Sequence, residues 1–140
     1  MPKIPNTETT EKVKMDEDSY KATVLEMNGP VETTYNGQVR QKLIVIYDID
    51  GAPVQQWMTN IVSEGSGKYS PSALCIWLEK MGLYAEFNKR KAELLDDTKF
   101  IEWVNNTLKA TKPKVKVVVK NANKGTDNEY STVSEVLKKL

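Results

Sequence analysis

Two strand-like segments joined by Asp50-Gly51 constrain the fold of this chain more than any other feature. Residues 41–49 are rich in Ile, Val, Leu and Tyr, residues 54–60 contain Trp57, and the dipeptide between them supplies the positive φ angles of a tight hairpin turn. Pro53 stands at the start of the returning strand, where a missing N–H is tolerated. An earlier strand begins near Ser19, where Tyr20, Ala22 and Val24 alternate with Lys21, Thr23 and Leu25 at the period of a half-buried strand. Asn28-Gly29-Pro30 signals a loop after it, and Asn36-Gly37 a further turn, so residues 31–35 extend this first strand into a hairpin.

The pattern then changes. Residues 63–68 are rich in Gly and Ser, and Ser70-Pro71 reads as a helix N-cap followed by proline at the first helical position. Leu74, Trp77, Leu78 and Met81 share one face of a helix over 71–81, which Gly82 is placed to stop. Residues 83–95 read as a second helix and 97–108 as a third, with Phe100, Ile101, Val104 and Leu108 on one side. After Pro113, Val115, Val117 and Val119 alternate with Lys114, Lys116 and Val118, the signature of a strand over 114–120. Residues 121–128 form a polar loop. The next segment admits two readings: a fifth strand over 129–134 giving way to a turn near Glu135, or a helix carrying Val133, Val136, Leu137 and Leu140, with Thr132 and Glu135 as a capping box. The strand is preferred.

The chain has 140 residues, enough for one domain to bury a core without metals or disulfides, and its 39% hydrophobic and 28% charged residues are those of a globular protein. The expected organisation is a flexible acidic arm over residues 1–18, with two prolines and Asp16-Glu17-Asp18, followed by one folded unit over 19–140. The N-terminal stretch lacks the apolar centre of a secretory signal and Cys75 is the only cysteine, so the cytoplasm is the expected compartment. No apolar run approaches the ~20 residues that span a bilayer. Net charge is only +1, but it is unevenly placed: residues 1–20 carry 3 basic and 5 acidic side chains (−2), residues 109–140 carry 8 and 3 (+5).

Catalytic signatures are few. The chain has no histidine, which removes the commonest general base and metal ligand together. Cys75, between Leu74 and Ile76 in an amphipathic helix, reads as a core or boundary residue. Gly65-Ser66-Gly67-Lys68 evokes a phosphate-binding loop, yet Val62 stands where the first glycine belongs and Tyr69 replaces the magnesium-binding hydroxyl. A helix N-terminus follows that loop, so its N–H groups and Lys68 remain able to touch an anion. Asp48-x-Asp50-Gly51 opens like a calcium loop but continues with Ala52 and Thr59 at ligand positions. Asp96-Asp97 serves as a helix cap, and Asn105-Asn106-Thr107 is a glycosylation sequon without a route to the glycosylation machinery. No enzyme activity, metal or cofactor is therefore expected.

What remains is aromatic and basic residues on strands: Arg40, Lys42 and Tyr47 on the second, Trp57 on the third, and Lys114, Lys116 and Lys120 on the fourth. Rings stack on bases while ammonium and guanidinium groups hold phosphates, the minimum apparatus for single-stranded nucleic acid. Core packing of the rings and solvation of the lysines are the alternative.

The order of three strands, a helical segment and two strands is that of the OB-fold. With Tyr20-Lys-Ala-Thr-Val-Leu, Gln41-Lys-Leu-Ile-Val-Ile-Tyr, the Ser70-Pro-Ser-Ala-Leu helix start and Lys114-Val-Lys-Val-Val-Val before Glu129-Tyr-Ser-Thr-Val, the chain resembles the small OB-fold single-stranded-DNA-binding proteins of phages and prokaryotes. The resemblance implies a mainly β chain with α: a five-stranded OB-type barrel whose helical segment between strands three and four is enlarged. It further implies a non-catalytic binder of single-stranded DNA, or of RNA, serving DNA replication or repair. Strands two and three and the one-two and four-five loops then place Arg40, Lys42, Tyr47, Trp57, Lys120, Lys124 and Tyr130 at the ligand, and the acidic arm would compete for a basic groove. A second expectation is a protein-interaction or self-assembly module that presents Trp77, Trp103, Tyr84 and Phe87 to a partner chain or a second copy.

Overall fold

A computed structural model describes residues 13–140. The chain runs through β1 (Asp18–Tyr35), β2 (Gln38–Ile49), β3 (Ala52–Thr59), four helices α1 (Ala73–Lys80), α2 (Tyr84–Lys89), α3 (Lys91–Leu94) and α4 (Asp97–Thr111), then β4 (Lys114–Ala122) and β5 (Tyr130–Lys139). The strands pair in the order β1-β2-β3-β5-β4, and β4 pairs back with β1, so the sheet closes on itself. All neighbours are antiparallel except β3 and β5, which meet in parallel at Gln55 and Thr132.

Both hairpins turn where the dipeptides require it, with φ of +50° and +78° at Asn36 and Gly37 and +52° and +88° at Asp50 and Gly51. The loop expected at Asn28-Gly29-Pro30 is absent: β1 continues through it as one strand, with a register shift between Asn28 and Val31. Gly29 is needed there. Its φ is +121°, and a Cβ would lie 2.8 Å from the Lys42 carbonyl oxygen. β2 outruns β3, whose last partner is Lys42, so residues 31–41 form a two-stranded ribbon projecting past the end of β3.

The fifth strand corrects the expected turn near Glu135 by continuing to Lys139. A bulge explains why its sequence looked helical. Val119 pairs with Val133 and Val118 with Glu135, so one extra residue of β5 fits between successive partners, and Val133 and Val136, three apart, are both buried. The same device at Leu25 lets Val24 and Met27 both face inward on β1.

In the helical segment, Ser72 rather than Ser70 is the cap of α1, its Oγ accepting from Cys75 N–H at 3.2 Å, and Pro71 lies outside the helix. The second helix breaks at Arg90 into α2 and α3. α4 starts as expected, with Asp96 accepting from Lys99 N–H at 3.1 Å, and runs on to Thr111. The inner residues of all five strands and the apolar faces of the helices form one core. Trp77 joins the two parts: its indole N–H donates to Tyr47 Oη at 3.0 Å, and Tyr47 donates to Gln56 Oε1 at 2.5 Å. α4 rests on β1 through Asn105, whose side-chain amide accepts from Met27 N–H at 2.8 Å and donates to Met27 O at 2.9 Å. The sequon-like triplet is thus a structural brace.

Of the expected arm, residues 1–12 lie outside the described residues. Residues 13–17 are docked: Ser131 N–H donates to Val13 O at 2.7 Å, Met15 N–H to Ser131 Oγ at 2.8 Å, and Asn121 Nδ2 to Met15 O at 3.1 Å. No helix among the described residues is long and apolar enough to cross a membrane.

Candidate nucleic-acid interface

Burial alternates along β2 from Lys42 to Ile49, and its first four residues are all exposed. Leu43, Val45, Tyr47 and Ile49 point into the core, which places Lys42, Ile44 and Ile46, and beyond them Arg40 and Gln38, on the outer side. On β3, Trp57 and Thr59 face the same way, with Trp57 opposite Ile44 and Thr59 opposite Lys42. On the ribbon, Val31 pairs with Lys42, Thr33 with Arg40, and Tyr35 with Gln38. Directly opposed residues share a face, so one stripe runs from Tyr35 through Arg40 and Lys42 to Ile44 and Trp57.

The two ends of this stripe carry exposed rings: Tyr35 is 74% exposed and Trp57 45%. Trp57 is steered by a hydrogen bond from its indole N–H to Gln55 Oε1 at 3.0 Å, which leaves the ring face available. The two cations between them meet neutral partners. Arg40 Nη2 donates to Gln38 Oε1 at 3.0 Å and Lys42 Nζ to Thr59 Oγ1 at 3.0 Å. Neither forms an ion pair among the described residues. Glu32, the ribbon's acidic residue, lies beside Gln41 on the opposite face. A chain of phosphates laid along the stripe would therefore meet two uncompensated positive charges between two stacking surfaces.

The structure brings Arg40, Lys42 and Trp57 onto one face and puts Tyr47, expected beside them, in the core. Tyr47 is fully buried, its hydroxyl held between Gln56 and Trp77, and burial pushes its phenol far above the ordinary tyrosine range. It packs and braces; it offers no ring to a ligand. Lys114, Lys116 and Lys120 lie on β4, which pairs with β1 and β5 and shares no pairing with β2 or β3. Lys114 Nζ donates to Thr23 Oγ1 at 2.9 Å. Lys120 comes nearest the stripe, in register with Thr132, which is in register with Gln55. Lys124, in the β4–β5 loop, is held by Glu17 at 2.8 Å, and Tyr130 is half-buried opposite Ala122. Of the residues expected to meet a partner chain, Trp77 and Phe87 are buried, while Trp103 and Tyr84 are partly so.

Tyr35, Ile44 and Ile46 were missed. The period-two pattern of β2 would have put both isoleucines on the Trp57 face, but Tyr35 needed the pairing across Asn36-Gly37. Elsewhere the chemistry is quiet. Burial, then the Glu79 carboxylate that accepts the Cys75 S–H at 3.6 Å, push that thiol up and keep it protonated. Among the described residues no group of three or more Cys, Asp or Glu side chains is placed to hold a metal. Comparison of the chain with protein-family models, curated proteins and solved structures returns no match.

Proposed function

We propose that this chain is a non-catalytic OB-type module that binds single-stranded nucleic acid, DNA in the first instance, along the outer face of β2, β3 and their ribbon. The observation that carries the reading is the stripe itself: exposed Tyr35 and Trp57 flank Arg40 and Lys42, two cations with no acidic partner among the described residues. The OB assignment rests on the strand order β1-β2-β3-β5-β4, with the helices between β3 and β4. Strands two and three and the β1–β2 loop are the surfaces through which that architecture takes oligonucleotides. Stacking and backbone charge, without a donor–acceptor code for base edges, give little sequence preference.

The test is a fluorescence titration. Trp77 is buried and Trp103 partly so, which leaves Trp57 as the indole most open to a stacked base. Oligothymidylate is expected to quench the protein at low salt and to be released as salt rises, with a log–log slope of about −0.7 per phosphate neutralised. An unchanged spectrum at low salt rejects the proposal.

A further inference from the structure

The loop between β3 and α1 carries a motif that the interface leaves unused. It continues directly from the strand bearing Trp57, at the end where Asn60 N–H donates to Gln41 O at 2.8 Å and the ribbon begins. Its neck is tied twice: Ser63 N–H donates to Ser72 Oγ at 3.0 Å, and Ser72 N–H to Ser63 O at 2.8 Å. Its flank is tied by Tyr84, whose hydroxyl donates to the Glu64 carboxylate. That hydrogen bond, with burial adding to it, pushes the Tyr84 phenol up to about 12, so the donor keeps its proton throughout the neutral range.

The tip is ordered as well. Ser66 and Tyr69 exchange backbone hydrogen bonds at 3.2 and 2.9 Å. Gly65, at φ +79°, lets the chain fold back so closely that a Cβ there would stand 2.5 Å from Tyr69 O. This framework displays two side chains. Tyr69 is 70% exposed, and Lys68 Nζ lies 5.7 Å from its ring centroid without an ion pair among the described residues. An ammonium group beside an exposed ring, on a loop held at neck, flank and tip, repeats the chemistry of the stripe one segment further along the chain.

We infer that the loop over residues 63–72 is a second contact point for the same single strand. Tyr69 stacks a base beyond those on Trp57, and Lys68 holds the adjoining phosphate. The glycine-serine motif then serves to shape the tip, not to wrap a nucleotide's phosphates. This inference rests on the proposed function and extends the ligand's path past the end of β3.

The experiment compares the full chain with the double variant Lys68→Ala, Tyr69→Ala, both exposed positions, using oligothymidylates of about four and about twelve nucleotides, lengths within the range of OB-type sites. The short oligonucleotide is expected to bind both proteins equally. The longer one is expected to gain about tenfold in affinity on the unaltered chain and little on the variant, in line with one stacked base. Equal affinity of the two proteins for the longer oligonucleotide overturns the second contact point while leaving the stripe intact, and equal losses at both lengths overturn the extended path. Absence of binding by the unaltered chain overturns the proposed function and this inference with it.

Discussion

Two regions of the ring present lysines and acidic groups in opposite ways. On the β2–β3 side, Arg40 and Lys42 donate to neutral oxygens, and the acidic residue nearest in the ribbon lies on the other face. On the β4–β5 side, the docked segment over residues 13–17 brings Glu17 to Lys124 at 2.8 Å and Lys14 to Glu129 at 3.3 Å. Lysines thus have different uses: Lys42 meets a neutral hydroxyl, whereas Lys14 and Lys124 fasten residues 13–17 to the loop between β4 and β5. Among the described residues Lys124 is the one lysine of the last thirty-two residues in an ion pair, and Lys114 donates to the neutral Thr23 hydroxyl, so the excess of positive charge there does not by itself mark an interface. Partners of a lysine matter more than its count.

The sharpest way to break the contrast is to exchange the roles of two aromatic residues. Trp57→Ala is expected to weaken oligonucleotide binding per folded molecule by about 1–3 kcal/mol, because its partly exposed ring lies on the stripe. Tyr47→Phe should act on stability instead. Removing its hydroxyl leaves Trp77 Nε1 and Gln56 Oε1 without that partner in the core, so stability falls by about 1–3 kcal/mol and affinity per folded molecule stays the same. Denaturant melts and titrations on the same samples decide both.

Charge gives the next test. Neutralising Arg40 and Lys42 together is expected to reduce the salt slope of binding by about 1.4, the value for two single-strand phosphate contacts, whereas neutralising Lys114 and Lys116 leaves it unchanged. A change of equal size from both pairs would erase the distinction between the two sides of the ring.

The smallest effect concerns acid. A hydrogen bond from Asn121 N–H, then Lys124, lowers the Glu17 carboxyl below its ordinary 4.5; Gly125 N–H, then Lys14, does the same for Glu129. Carboxyls with lowered folded values stabilise the docked segment fully above their unfolded value, and the contribution is lost as pH falls through the lowered one. Protection of the Ser131 amide, whose N–H donates to Val13 O, measured against its intrinsic exchange rate, is therefore expected to fall as pH drops below the ordinary carboxyl value of 4.5, and the Glu17→Gln variant to show part of that loss at neutral pH.

These tests also mark what the sequence disclosed. Asn36-Gly37 and Asp50-Gly51 announced both hairpins because two adjacent positive φ angles leave few residue choices. Alternation disclosed β2 and β4 equally well. It failed wherever a bulge intervened, since one extra residue converts a spacing of two into three and imitates a helix, as at Val133 and Val136. The start of α1 was misplaced because Ser70 and Ser72 are equivalent locally. In the structure Ser72 is distinguished by its cap on Cys75 N–H and by its pairing with Ser63 across the loop. Tyr47 and Trp57 were likewise equivalent as aromatic strand residues, and the parity of each strand relative to the core separates them.

Asn105 has a bearing on how the side of β1 turned away from β2 is closed. Beyond Thr23, β1 no longer pairs with β4, and at Met27 the groups not facing β2 are taken by a single side-chain amide from α4. That amide imitates one peptide unit of a neighbouring strand and offers no continuation, so a sheet that would otherwise invite a sixth strand is given a stopper. Asn105→Ala would leave the Met27 N–H and C=O without that partner beneath α4.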